Sequence, residues 1–328
     1  MSFIGIDVSK EKLDVLWLRQ MQPRKIKTRV FRNQRSALKE LGDWLLKQTG
    51  ESAEQIHVVM EATSVYHENL AYALHDRGVQ VYVANPARVK DFARSEGLLQ
   101  KTDKSDSLVL ALYAAEKHSR LTLWQPEPKE VRTLRSLMAR LEALEKDLQR
   151  EQNRQEKALA TEVSPRVMAS IEDMIAALQE EIGKLREDID DHIDRHPDMR
   201  NDRELLESIP GIASVSSVQL MSLFRSRDFR SPRECAAFIG VVPVHEQSGS
   251  SIRKPARISK AGRASIRQKL YMAAVTACQH NPDIRALRER MRSRGKASKA
   301  IVIAAMRKLV HIAFGVLKHQ QPYAPQAA

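Results

Sequence analysis

The chain has 328 residues, 42% of them hydrophobic, enough for two or three folded units with cores of their own. A formal net charge of +13 and a pI of about 9.8 point to a polyanionic partner, nucleic acid before membrane. Cys235 and Cys278 are the only cysteines and sit among apolar neighbours, and the histidines show no zinc spacing, so disulfide frameworks and thiolate or zinc sites are excluded and any metal is expected to take oxygen ligands.

From Ser2 to about Trp124, strands and helices alternate. Phe3 to Asp7, Leu13 to Leu18 and Ile26 to Phe31 read as three successive strands, followed by a helix from about Asn33 with Leu38, Leu41 and Leu45 on one face. Gly50 stops it. The strand His57 to Glu61 precedes a helix bearing Tyr66, Leu70 and Leu74, closed by Gly78 before the strand Val79 to Val83. Asn85-Pro86 starts one more helix and Asp103 another, through Leu108, Leu112 and Ala115. Three strands followed by β-α-β-α units, with acids ending the first and fourth strands, predict an RNase H-like α/β domain over residues 1–126.

Four carboxylates stand out in this domain. Asp7 and Glu61 end apolar strands, where a lone carboxylate beside a core costs several kcal/mol unless it is paired or binds a metal. Asp103 and Asp106 are three residues apart, so on a helix they share a face and repel unless a cation lies between them. An all-oxygen set of this kind favours Mg2+, or Mn2+, in phosphoryl-transfer chemistry.

Residues 127–197 change register. Leu134, Leu137, Leu141, Leu144 and Leu148 follow a three-four repeat, and after Ser164-Pro165 a second seam carries Met168, Ile171, Ile175, Leu178, Ile182, Leu185 and Ile189. Two coiled-coil helices joined by a turn are expected, either as a stalk pairing with another chain, the reading favoured here, or as an antiparallel hairpin packed on itself. The second helix is acidic outside its seam and makes a poor contact for nucleic acid.

Residues 198–328 are predicted mainly α-helical. Leu206 to Ile212, with Ile209-Pro210-Gly211-Ile212, reads as a helix-hairpin-helix turn, although Ala213 stands where a second glycine is usual. Ser248-Gly249-Ser250-Ser251 forms a polar loop followed by Arg253, Lys254, Arg257, Lys260, Arg263 and Arg267, a set expected to bind nucleic-acid phosphate. Arg263 and Arg267, at i,i+4 on a helix, would need an anion to share. A second basic cluster runs from Arg285 to Lys299.

These motifs together resemble the DEDD transposases of bacterial insertion sequences, the IS one-ten family. The resemblance covers nearly the whole chain. It rests on Ile4-Gly5-Ile6-Asp7 with Lys10, Met60-Glu61-Ala62-Thr63 with Tyr66, Asn85-Pro86, Ser95-Glu96-Gly97-Leu98 and Lys101-Thr102-Asp103 with Asp106. Downstream it includes Ile209-Pro210-Gly211-Ile212, Ser248-Gly249-Ser250-Ser251, Ser259-Lys260-Ala261-Gly262 and Met306-Arg307-Lys308-Leu309. The resemblance implies a RuvC-like N-terminal domain holding Mg2+ on Asp7, Glu61, Asp103 and Asp106, and a C-terminal transposase domain whose serine, Ser248 with Ser250 and Ser251 as alternatives, is the nucleophile. It further implies donor and target DNA as substrates, a structured guide RNA encoded beside the gene, a homo-oligomer, dimer or tetramer, in which one subunit's serine completes another's metal site, and a cytoplasmic, nucleoid-associated protein that does not enter membranes. A RuvC-like nuclease or an invertase working without RNA is the alternative.

Overall fold

The computed structural model describes the chain apart from residues 63–64, 99–102, 246, 249–251, 254–255 and 326–328, and the side chains of 103–104, 247–248 and 252–253. Two compact units result, Met1–Pro126 and Glu127–Ala328.

In the first unit, β1 (Ser2–Val8), β2 (Lys12–Gln20) and β3 (Lys25–Arg32) form an antiparallel meander. Helix α1 (Arg35–Thr49) follows, ended by Gly50 at φ 66° with its N–H on the Leu46 carbonyl, the left-handed stop that glycine makes without strain. Strand β4 (Ile56–Glu61) then lies parallel to β1, α2 (Glu68–His75) crosses back, and β5 (Gln80–Ala84) lies parallel to β4. The sheet order is β3-β2-β1-β4-β5. Helices α3 (Pro86–Ser95) and α4 (Asp103–Lys117) complete the unit. This topology is RNase H-like, as the strand pattern predicts. Tyr66 stands in a turn before α2 rather than inside it.

Period-two alternation sorts the sheet into two faces. Ile4, Ile6, Val58, Met60 and Val81 pack on one side with Leu41, Leu45, Leu70 and Leu74 of α1 and α2. Leu16, Leu18, Val59, Tyr82 and Ala84 pack on the other with Val89 and Phe92 of α3 and Leu110, Ala111 and Ala114 of α4.

Among the described residues the second unit is mainly helical, with four short strands. Helices α5 (Lys129–Leu159) and α6 (Pro165–Asp194) pack against one another within the chain, antiparallel, with Leu137, Leu141, Leu144 and Leu148 facing Leu178, Ile182 and Leu185. Arg186 bridges to Glu145 at 3.1 Å, and His192 Nε2 lies 2.9 Å from the Glu130 carbonyl. Over this stretch the seam expected to pair with another chain is filled intramolecularly. Heptads record that a partner stripe exists, not which helix supplies it.

Next come α7 (Pro197–Glu207), α8 (Ser214–Ser226), α9 (Pro232–Ile239), the strands β6 (Pro243–Val244), β7 (Gln247–Ser248), β8 (Ile252–Arg253) and β9 (Arg257–Ile258), and α10 (Ala264–His280), α11 (Pro282–Ser293) and α12 (Ser298–His319). Helix α12 is long and apolar enough to cross a membrane. Its Ala305, Met306, Leu309, Val310 and Ala313 are instead buried in the unit's core with Leu206, Ile239, Leu270 and Ala274. In the turn between α7 and α8, Gly211 has φ 103°, and a Cβ there would come within 2.6 Å of the Ala277 Cβ. The close approach that requires glycine here is to α10. Both cysteines are buried, and burial pushes the Cys235 thiol up to about 12.

Candidate active site

Asp7 and Glu61 are neighbours by register. Ile6 pairs with Met60 across parallel strands, which makes Asp7 and Glu61 the next residues along β1 and β4. Both are half-buried, and both alternate onto the face that carries α4, in line with Gly5 and Val59. Beyond them the chain is tied down. Asn33 Nδ2 donates to the Ser9 carbonyl at 2.8 Å and to the Tyr66 carbonyl at 3.1 Å, joining the loop after β1 to the segment after β4.

Helix α4 reaches the same end of the sheet. A Cβ on Gly5 would fall 2.0 Å from the Ser107 carbonyl oxygen and 2.5 Å from the Ala111 nitrogen, so the helix lies directly on β1. His118, just past its C-terminus, stacks near Phe3 and His57 at 5.0 and 5.2 Å between ring centroids, at the beginnings of β1 and β4. The helix therefore runs antiparallel to both strands, and its first turn lies towards the strand ends that carry Asp7 and Glu61. Asp103 is one turn before Ser107 on the sheet-facing stripe of the helix backbone, and its side chain is outside the described residues. Asp106 is half-buried beside that stripe. Acids in a first helical turn are also favoured by the positive end of the helix dipole.

One acid escaped the sequence reading. Asp14 pairs directly with Asp7 in the antiparallel register of β1 and β2, and alternation puts it on the same face as Leu16 and Leu18. Its side chain is 15% exposed and lies 3.2 Å from Lys12 Nζ. The available signal was a carboxylate interrupting the apolar run Leu13-Asp14-Val15-Leu16. Among the described residues no three His, Cys, Asp or Glu side chains are gathered closely enough to hold a metal. Asp7, Glu61, Asp14 and Asp106, the acids described at this end, offer carboxylate oxygens, the chemistry that suits Mg2+ or Mn2+.

In the second unit Ser248, the first serine of the motif, lies on an antiparallel β-hairpin. Pro243 pairs with Ile258 and Val244 with Arg257, and nearer the tip Gln247 pairs with Arg253 and Ser248 with Ile252. Ser248 thus holds a ladder position opposite Ile252. Gly249, Ser250, Ser251 and Lys254 lie outside the described residues, as do the side chains of Ser248 and Arg253. His245 is exposed.

The base of the hairpin is built tightly. Gly240, at φ 82°, ends α9 and accepts the Lys260 N–H at 3.1 Å, while the Ser259 N–H donates to Val242 at 3.0 Å. A Cβ on Gly262 would meet the Phe238 carbonyl oxygen at 2.2 Å. Arg257, Lys260 and Arg263 are exposed beside this base. The expected helical stacking of Arg263 on Arg267 does not occur. Arg263 is the extended N-cap of α10, and Arg267 turns inward, its Nη1 donating to the carbonyls of Ile239 and Gly262. Arg285, Arg290, Arg292, Arg294, Lys296 and Lys299 of the second basic cluster are exposed, whereas Arg288 donates to the Cys278 carbonyl at 3.1 Å.

Comparison with known proteins decides the family. A DEDD transposase model matches residues 4–163, and a model described as Transposase IS116/IS110/IS902 family matches residues 203–289. The chain is 30% identical over 98% of its length to the pilin gene-inverting protein of Moraxella bovis, spanning 97% of that protein. The chain belongs to the IS110 (IS one-ten) transposase family. This IS110 transposase is also 27% identical, over 52% of either chain, to a probable family 20 transposase of Pseudomonas aeruginosa. Thermus thermophilus RuvC matches 38% of the chain over the whole of its own length, with a TM-score of 0.29 and 15% identity. Family membership makes the IS110 transposase a DNA transposase or recombinase, an enzyme whose substrate is DNA.

Proposed function

We propose that this transposase cuts and rejoins DNA at a composite centre, with Asp7, Glu61, Asp103 and Asp106 of the first unit holding Mg2+ and Ser248 of the second attacking the phosphodiester. The observation that supports the proposal is that Asp7 and Glu61 are neighbours across β1 and β4 and that the first turn of α4, which contains Asp103 and Asp106, lies towards the same end of that sheet face. When bound, Mg2+ supplies a Lewis acid and template for the scissile phosphate. The Ser248 oxygen forms a bond to phosphorus as a backbone P–O bond breaks, and the serine proton passes to the leaving oxygen. The phosphoserine ester keeps the bond energy for rejoining, which runs the same steps in reverse with a different strand.

The exposed cations Arg257, Lys260 and Arg263 at the hairpin base, with Arg253 and Lys254, flank the DNA backbone. Ser250 and Ser251 are the alternative nucleophiles. A guide RNA, whose pairing reads the donor and target, and a homo-oligomer in which serine and acids come from different subunits are parts of this reading that rest on the family resemblance. The protein works in the cytoplasm, at the chromosome. The similarity to a pilin gene-inverting protein along the whole chain favours DNA inversion as a second outcome of the same chemistry.

The test uses the full chain with DNA carrying the element's ends, Mg2+ and RNA transcribed from the element. Asp7→Asn, Glu61→Gln and Ser248→Ala each abolish strand cleavage while retaining DNA binding. Mixing Asp7→Asn with Ser248→Ala restores cleavage if the centre forms between subunits. Unchanged cleavage by Ser248→Ala, with hydrolysed ends, would instead make the protein a nuclease with water as nucleophile.

A further inference from the structure

We propose that Arg267 is a positioning residue for the serine hairpin and not a phosphate ligand, a claim that rests on the reading of Ser248 as nucleophile. Spacing alone places Arg267 with the DNA-binding cations. The structure directs its guanidinium into the protein. Nη1 donates to Ile239 O at 3.1 Å and to Gly262 O, and the residue is half-buried, whereas Arg257, Lys260 and Arg263 are exposed.

The two acceptors are not arbitrary. Ile239 is the last residue of α9, so its carbonyl is among those left without an intrahelical partner at the negative end of the helix. Gly262 ends the segment by which the hairpin returns to α10. One cation therefore ties the C-terminal end of α9, which leads into the hairpin, to the segment leaving it. The two backbone hydrogen bonds from Ser259 and Lys260, the left-handed Gly240 and Lys260, at φ 82° and 55°, and the close approach of Gly262 to Phe238 lie within the same few residues. Arginine suits the task because its planar fork presents fixed donors and stays charged when partly buried. Among the described residues each ladder of the hairpin pairs two residues per strand, so its direction depends on the contacts at its base.

Arg267→Ala and Arg267→Lys test this in the full-length protein, with Arg263→Ala and Ser248→Ala as references. Three quantities are read: hydrogen exchange of the peptide covering residues 256–262, affinity for duplex DNA as a function of salt, and single-turnover cleavage at saturating DNA. Arg267→Ala is expected to speed exchange at least tenfold and slow cleavage at least tenfold, leaving affinity within twofold and the salt slope unchanged. Arg267→Lys should recover part of both losses. Arg263→Ala should lower the salt slope by about 0.9, the loss of one phosphate contact.

Unchanged exchange in Arg267→Ala, or a salt slope reduced by about 0.9 with normal cleavage, overturns the proposal. Faster exchange with normal cleavage also overturns it, and Ser248→Ala then separates the causes. If that variant is inactive, only the role of Arg267 is wrong; if it cleaves, the serine reading falls as well. Should Arg267→Ala fail to give a cooperative melt, Arg267→Lys and Arg267→Gln are held to the same three measurements.

Discussion

Gly5→Ala should separate the folding of the first unit from its chemistry. Gly5 lies two residues before Asp7 on the same sheet face, and α4 rests on it. The added Cβ would sit 2.0 Å from the Ser107 carbonyl oxygen, 2.5 Å from the Ala111 nitrogen and 2.8 Å from the Leu110 Cβ. The first two are backbone atoms, which no rotamer change can move aside. Ordinary contact needs about 3.4 Å, so α4 must shift by about 1.4 Å relative to β1. Overpacking of this kind costs about 1–3 kcal/mol. In a unit of this size that lowers the melting temperature by about 5–10 °C and leaves it folded at 25 °C. The shift carries Asp103 and Asp106 away from Asp7 and Glu61, and a misplacement of about 1 Å can cost roughly a hundredfold in rate. The assay is single-turnover cleavage at 25 °C with saturating DNA, alongside a thermal melt and DNA affinity. The reasoning predicts cleavage reduced about a hundredfold with affinity unchanged. Wild-type cleavage by a folded Gly5→Ala protein would refute the placement of α4 as what assembles the acids.

Three further outcomes follow from side chains outside that contact. Asp14→Asn removes a charge opposite Asp7 and leaves Lys12 to face the remaining acids, so half-maximal cleavage should need about tenfold more Mg2+, a loss of ~1.4 kcal/mol in metal binding; an unchanged Mg2+ titration contradicts this. Burial, and for His57 the neighbouring His118, holds the His57 and His311 imidazoles below their ordinary 6.5. The unfolded chain then binds more protons as pH falls through 6.5, so stability present above that pH is lost below it; melts from pH 7.5 to 5 should show the loss, more shallowly in His57→Gln, and identical slopes would count against it. Tyr323 folds back so that its hydroxyl lies 2.7 Å from Asp283 Oδ2 and 3.0 Å from Oδ1 of the fully buried Asn281, and its N–H donates to Ser208 Oγ at 2.8 Å. Burial and Asp283 push its phenol up to about 12. Tyr323→Phe should destabilise the second unit by about 1–2 kcal/mol in urea unfolding, and an unchanged midpoint would show the contact to be idle.

The first unit was readable because its physics is local. Alternating apolar residues in Phe3 to Asp7 and Leu13 to Leu18 fix both the strands and the side each residue faces, and strand order then follows from short connections. The position of the acids came with it, because Asp7 and Glu61 stand at the C-terminal ends of their strands. Asp14 was missed because its partner is set by cross-strand register, which depends on where the β1–β2 turn falls. The serine segment read as a loop because ladders of two residues are too short to carry a hydrophobic period; pairing there is held by backbone bonds. Arg267 itself was misread because the helix starts at Ala264, one residue after Arg263, so the assumed i,i+4 geometry never forms. The α5–α6 seam was visible and its partner was not, since Leu and Ile heptads are satisfied equally by the same chain or by another.

The most direct test of a serine-centred exchange is to map the protein–DNA bond itself. Reactions quenched in denaturant, digested with nuclease and protease and analysed by peptide mass spectrometry should place a nucleotide phosphate on Ser248, dependent on Mg2+ and absent from Asp7→Asn. A nucleotide found on Ser250 or Ser251 would move the nucleophile along the serine motif. Complete cleavage with no nucleotide on any peptide of the hairpin would contradict the account.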